Sequence, residues 1–90
     1  MDVKYSPHIA KQVSKGKLLP EIWGDFKDAF RSLAVTMNFG LFDIKKLTTK
    51  GKIAYYRLRI RGHRALFHYD STAIYVEDIA PRSEVYRSWR

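Results

Sequence analysis

The sequence predicts an α+β domain, a helical hairpin packed on a small twisted antiparallel sheet in the order β-α-α-β-β-β. Three observations carry that expectation. Residues 20–37 hold an apolar stripe of helical period, residues 53–79 switch to a β-favouring pattern broken by two short turns, and 90 residues leave room for one modest core that both halves must share. An apolar content of 46%, with 14% aromatic residues, is enough to build that core and well above what a disordered chain shows.

In chain order, residues 3–5 read as a short extended start. Ser6 followed by Pro7 has the chemistry of a helix N-cap and first helical position, and Gly16 offers a stop, so a first helix is expected over 7–15. In the second helix, 20–37, Ile22, Trp23, Phe26, Ala29, Phe30, Leu33, Ala34 and Met37 recur at spacings of three and four, despite Gly24. Asn38 to Gly40 closes it, and 41–50 reads as a connecting loop with Ile44 and Leu47 as apolar anchors. From 53 to 60 the chain alternates, with Tyr55, Arg57, Arg59 and Arg61 on one face and Ala54, Tyr56, Leu58 and Ile60 on the other. Arg61-Gly62 makes a tight turn into a strand over 64–69, and Asp70-Ser71 turns into a third over 72–79. Three consecutive strands make a meander, with the long helix laid across one face. No linker, repeat or low-complexity segment interrupts residues 1–90, which read as a single domain.

The formal net charge of +8 calls for a polyanionic partner: nucleic acid, a membrane surface or an acidic protein. Its distribution narrows the choice, because Lys52, Arg57, Arg59, Arg61 and Arg64 fall within one stretch that holds no acid. This patch is the expected RNA-binding surface, against the plainer alternatives of a solvated strand face or a seat for an acidic protein segment. The chain has no cysteine, which excludes disulfides and thiolate metal sites and suits a reducing cytoplasm. Neither a signal-peptide run at the N-terminus nor a stretch of about 18 apolar residues occurs, so a soluble, cytoplasmic protein with no membrane partner is expected. Glycine-rich phosphate loops, metal-ligand spacings and a nucleophile elbow are also missing from the sequence, so no metal or cofactor is expected. What remains is cation-driven chemistry on a polyanion. His63 and His68, with ordinary pKa near 6.5, are the side chains suited to proton transfer at neutral pH; His8 reads as surface.

Two segments resemble a known family. Tyr56-Arg57-Leu58-Arg59-Ile60-Arg61-Gly62-His63-Arg64-Ala65-Leu66-Phe67 is similar to the central hairpin of RelE-like toxins, and Pro81-Arg82-Ser83-Glu84-Val85-Tyr86 is similar to their C-terminal signature. The start at Tyr5-Ser6-Pro7 and the connection Asp43-Ile44-Lys45-Lys46-Leu47 fit as well, so the resemblance to the RelE/ParE superfamily spans nearly the whole chain. It implies the toxin of a toxin-antitoxin pair that cleaves mRNA in the ribosomal A site, without metal, by attack of a ribose 2′-oxygen on the adjacent phosphate. It assigns the phosphate-holding and charge-stabilising roles to Arg57, Arg59, Arg64 and Arg82, and base alignment to Tyr86. Some members carry lysine at the places of Arg57 and Arg59; arginine clamps anions well but releases its proton too reluctantly to act as a base, which leaves His63 or His68 to accept it. The implied partners are a cognate antitoxin, the ribosome and mRNA, with the free toxin a monomer and its antitoxin complex a hetero-oligomer. Two other readings stay open: a ParE-like inhibitor that binds DNA gyrase without catalysis, and a non-toxic basic RNA-binding module.

Overall fold

The computed structural model describes residues 1–47 and 51–82. It contains strand β1 (Asp2–Tyr5), helices α1 (Pro7–Ser14) and α2 (Pro20–Thr36), a single 3₁₀ turn at Phe39–Leu41, and strands β2 (Ile44–Lys46), β3 (Tyr56–Ile60), β4 (His63–Tyr69) and β5 (Ala73–Pro81). The strands form one five-stranded sheet in the order β1-β5-β4-β3-β2. The expected meander is its centre: β3–β4 and β4–β5 are antiparallel.

The edges differ from the expectation. The extended start is a true strand and lies parallel to β5, with Val3 opposite Ile74, so the sheet is mixed rather than purely antiparallel. At the other edge the segment expected to be a loop contributes β2, antiparallel to β3 with Ile44 opposite Leu58. Three residues show too little alternation to announce a strand, and Ile44 pairs because β3 offers a free edge. The expected strand over 53–60 starts only at Tyr56.

Local chemistry explains the boundaries. The Ser6 hydroxyl accepts the His8 N–H at 3.2 Å and caps α1. Helix α2 has Pro20 in its first turn and ends on Met37, whose φ of 48° turns the chain out of the helix. Arg61 (φ 51°) and Gly62 (φ 77°) both take the left-handed region, the geometry of a two-residue hairpin turn whose twist matches the strands. Asp70 closes the next turn: its Oδ1 accepts the Thr72 N–H (2.8 Å), the Thr72 hydroxyl (2.7 Å) and the Ala73 N–H (3.0 Å).

The core lies between the helices and one face of the sheet. Phe26, Phe30 and Leu33 of α2 and Ile9 of α1 are fully buried with Leu58, Ala65, Phe67, Ile74 and Val76. Phe30 is its hub, with its ring edge-on to Phe67 (centroids 5.2 Å apart) and Tyr5 (6.2 Å). Burial of Tyr5 pushes its hydroxyl up to about 12. The alternation in β3 is honoured, with Leu58 in this core and its strand neighbours Arg57 and Arg59 on the opposite face. The opposite face carries the arginines together with Leu66, the β4 partner of Arg57, which is 1% exposed. Among the described residues, no helix is long and apolar enough to cross a membrane.

Candidate nucleic-acid interface

Register arranges the face away from the helices into rows that run across the strands. Arg59 is the partner of Arg64, which in turn faces Ala80. One step along, Lys45, Arg57 and Leu66 are opposed in sequence across β2, β3 and β4. Further along, His68 is opposite Tyr75, which is opposite Lys4 of β1. Since opposed residues share a face, Arg57, Arg59, Arg64 and His68 lie on one surface with Lys45 and Lys4 at its margins. Three of the five arginines expected from the sequence, Arg57, Arg59 and Arg64, are brought together by β3 and β4 pairing across the Arg61-Gly62 turn. Arg82 joins their end of the sheet, its backbone N–H donating to the Gly62 carbonyl at 3.1 Å.

The arginines are not simply displayed to solvent. Arg57 Nη1 donates to Asp43 Oδ1 at 2.9 Å and Arg59 Nε to Asp43 Oδ2 at 2.7 Å, so one carboxylate bridges both guanidinium groups. The Arg57 hydrogen bond, reinforced by that of Arg59, holds the Asp43 carboxyl below the usual carboxylate range. The Arg57 side chain is largely buried at 12% exposure, whereas Arg59 is open at 46%. Arg61, in the turn, reaches instead to α2, where its Nε lies 3.2 Å from Asp25 Oδ2. Its loop position takes it off the row made by Arg57 and Arg59. Lys52 is also set apart, lining a groove of about 420 Å³ with Ile53, Tyr56, His68 and Tyr69.

The two histidines separate. His63 pairs with Ile60, whose side chain packs against the core, so it belongs to the helix-side face; its Nδ1 lies 3.4 Å from the Arg61 carbonyl. His68 is on the arginine face. Its Nε2 lies 2.9 Å from Glu77 Oε1, and its ring stacks on Tyr75 (5.0 Å) and meets Tyr55 edge-on (5.1 Å). An ionised carboxylate only accepts, so Nε2 carries the proton of the neutral ring and Nδ1 is left as its acceptor. Four residues of strand separate His68 from Arg64, about 13 Å, while Arg57 lies between them in the lattice of rows. His8 is exposed, as expected, and its Nε2 lies 3.3 Å from Asp78 Oδ1 of β5. Tyr86 lies outside the described residues.

No family model matches the chain, and no curated protein does. Among solved structures, the crystal structure of an archaeal RelE–RelB complex from Pyrococcus horikoshii OT3 matches over 93% of this chain and 97% of that one, with a TM-score of 0.61 and 22% identity. The fold is RelE-like. At that identity the likeness is one of architecture, and it agrees with the RelE-like fold expected from the sequence; residues 83–86 of the C-terminal segment lie outside the described residues.

Two members of this face carry no signal in the sequence. In the sequence Asp43 is only part of a connection, because nothing in a lone aspartate sixteen residues before Arg59 marks it as a partner; pairing of β2 with β3 makes it one. Glu77 was missed for a similar reason, since its contact with His68 depends on the irregular register of β4 and β5 next to Leu66 and Phe67.

Proposed function

We propose that this chain is the toxin of a toxin-antitoxin pair and acts as a ribosome-dependent endoribonuclease on A-site mRNA. The observation that supports it most is the gathering of Arg57, Arg59 and Arg64 on the sheet face left open by the helices, with Arg82 at its end. RNA cleavage by its own 2′-oxygen asks for little more than this. The 2′-oxygen gives up its proton to a base and attacks the adjacent phosphorus, the P–O5′ bond breaks, and a 2′,3′-cyclic phosphate forms as the 5′-oxygen leaves and takes a proton from water. Arginines hold the scissile phosphate and offset the charge that grows on its oxygens, a role suited to a planar fork that never loses its own charge. His68 Nδ1 is the proton acceptor that the geometry favours over His63, since His68 shares the arginine face and Glu77 sets its tautomer. Lys52 and Arg61 hold flanking phosphates, and Tyr86 aligns a base.

The partners follow from the same face. An antitoxin with an acidic or amphipathic segment covers the arginines and silences them, as the occurrence of the P. horikoshii RelE in a complex with RelB suggests. The free toxin is a monomer, it works in the cytoplasm where ribosomes are, and its substrate is mRNA held by the ribosome. Purified protein added to programmed ribosomes carrying end-labelled mRNA tests the reading, with cuts mapped by primer extension and free RNA in parallel. Cuts confined to the A-site codon are expected, and Arg64→Ala or Arg82→Ala should remove them with the fold intact. Folded wild-type protein that leaves the mRNA whole overturns the reading, and DNA damage in cells expressing it would point to gyrase instead.

A further inference from the structure

Asp43 stands immediately before β2 and is held at both ends of its own residue. Its carbonyl accepts the Arg59 N–H at 3.0 Å and Arg57 Nη1 at 3.3 Å, and its carboxylate spans the two guanidinium groups at 2.9 and 2.7 Å. The ladder between β2 and β3 already fixes this edge at three positions, so the side-chain bridge adds something the strand does not need. Arg57 and Arg59 are like charges two residues apart on one strand face; Arg57 is largely buried at 12% exposure, whereas Arg59, at 46%, is free to swing into solvent unless something holds it. A carboxylate between them removes the repulsion and holds both planes. It takes only Nη1 from Arg57 and Nε from Arg59, and each guanidinium carries five N–H donors. One negative charge against two positive ones leaves the pair attractive to an anion.

We propose that Asp43 is a positioning residue of the RNA site, whose carboxylate gathers Arg57 and Arg59 into one fork that receives a phosphate of single-stranded RNA. This rests on the reading of the arginine face as an RNA site. Neutralising Asp43 then has two opposite effects. It releases a full positive charge, which strengthens attraction to RNA and its dependence on salt, and it unfixes the fork, which slows the reaction. A plain structural strap would change neither the salt dependence nor the balance between binding and turnover.

The experiment measures binding of an end-labelled single-stranded RNA by fluorescence anisotropy at several salt concentrations for wild type, Asp43→Asn and Asp43→Glu, alongside single-turnover cleavage on programmed ribosomes. Asp43→Asn is expected to bind more tightly at low salt, with the slope of log K against log salt steeper by about 0.7, the value of one further phosphate contact on a single strand. Its cleavage at saturating enzyme should slow by roughly ten- to hundredfold, as expected when reacting groups lose alignment. Asp43→Glu keeps the charge and should return the slope to the wild-type value. Folded Asp43→Asn with wild-type slope, or with weaker binding, overturns the proposal. Should that variant not fold, the wild type decides alone: the Arg59 Nε–H is expected as a resolved, exchange-protected NMR signal, and its loss to rapid exchange overturns the bridge. Wild type that shows the slope change but never cuts mRNA removes the nuclease reading and leaves the Asp43 role standing. Wild type without RNA affinity removes both.

Discussion

Single side chains on this domain are defined by what they accept or donate. Asp70 has three donors on one oxygen, first among them the Thr72 hydroxyl, then the Thr72 and Ala73 N–H groups, and they hold its carboxyl at about 2 against an ordinary 3.8. A carboxyl depressed in the folded state adds stability that is complete above its unfolded pKa and is lost as pH falls through the folded one. The urea midpoint of the wild type should therefore drop between about pH 4 and pH 2, and Asp70→Asn should flatten that limb. His68 makes a catalytic prediction at the same scale. His68→Ala should lower single-turnover cleavage by roughly 10²- to 10⁴-fold, the usual worth of a positioned proton acceptor, and abolish the acid limb of the pH–rate profile. His63→Ala, on the helix-side face, should keep both; equal losses in the two variants would count against the assignment.

At the scale of elements, boundaries rest on caps and turns, and faces rest on periodicity. The Ser6 cap is exposed and local, so Ser6→Ala should cost about 1 kcal/mol in a denaturant titration. Gly62 has a φ of 77°, a conformation that disfavours any Cβ, and Gly62→Ala should destabilise by about 1–2 kcal/mol although the space around it is open. Much of the fold was legible here. The apolar spacing in residues 20–37 located α2 and its buried stripe of Phe26, Phe30 and Leu33, and the alternation of Arg57, Leu58 and Arg59 separated the arginine face from the core. β2 was not legible, since three residues carry no periodicity, and the parallel partnership of β1 was not either, because an edge strand's partner lies 71 residues away in sequence.

Across the whole molecule, one core supports one working face. Phe30 joins both helices' layer to the sheet, so Phe30→Ala should cost about 3–5 kcal/mol and lower the melting temperature without a specific effect on RNA binding by the fraction that stays folded. The net charge of +8 sets the long-range attraction, while the pairing of arginines with Asp43 and Asp25 moderates it locally. RNA affinity should fall steeply with added salt, and Arg64→Ala should reduce the slope by about 0.7 if that residue holds one phosphate.

The sequence by itself determined the class of the domain, the helix that carries the core, the hairpin at Arg61-Gly62 and the side of β3 on which its arginines stand. These follow from periodicity, capping and turn chemistry, which act between residues near one another along the chain. Only the tertiary structure decided that Asp43 bridges Arg57 and Arg59, that Arg61 turns away to Asp25, and that His68 rather than His63 shares the arginine face. Those outcomes depend on strand order and register, through which residues fourteen to thirty-six positions apart come within hydrogen-bond distance, and no local pattern encodes a distance of that kind.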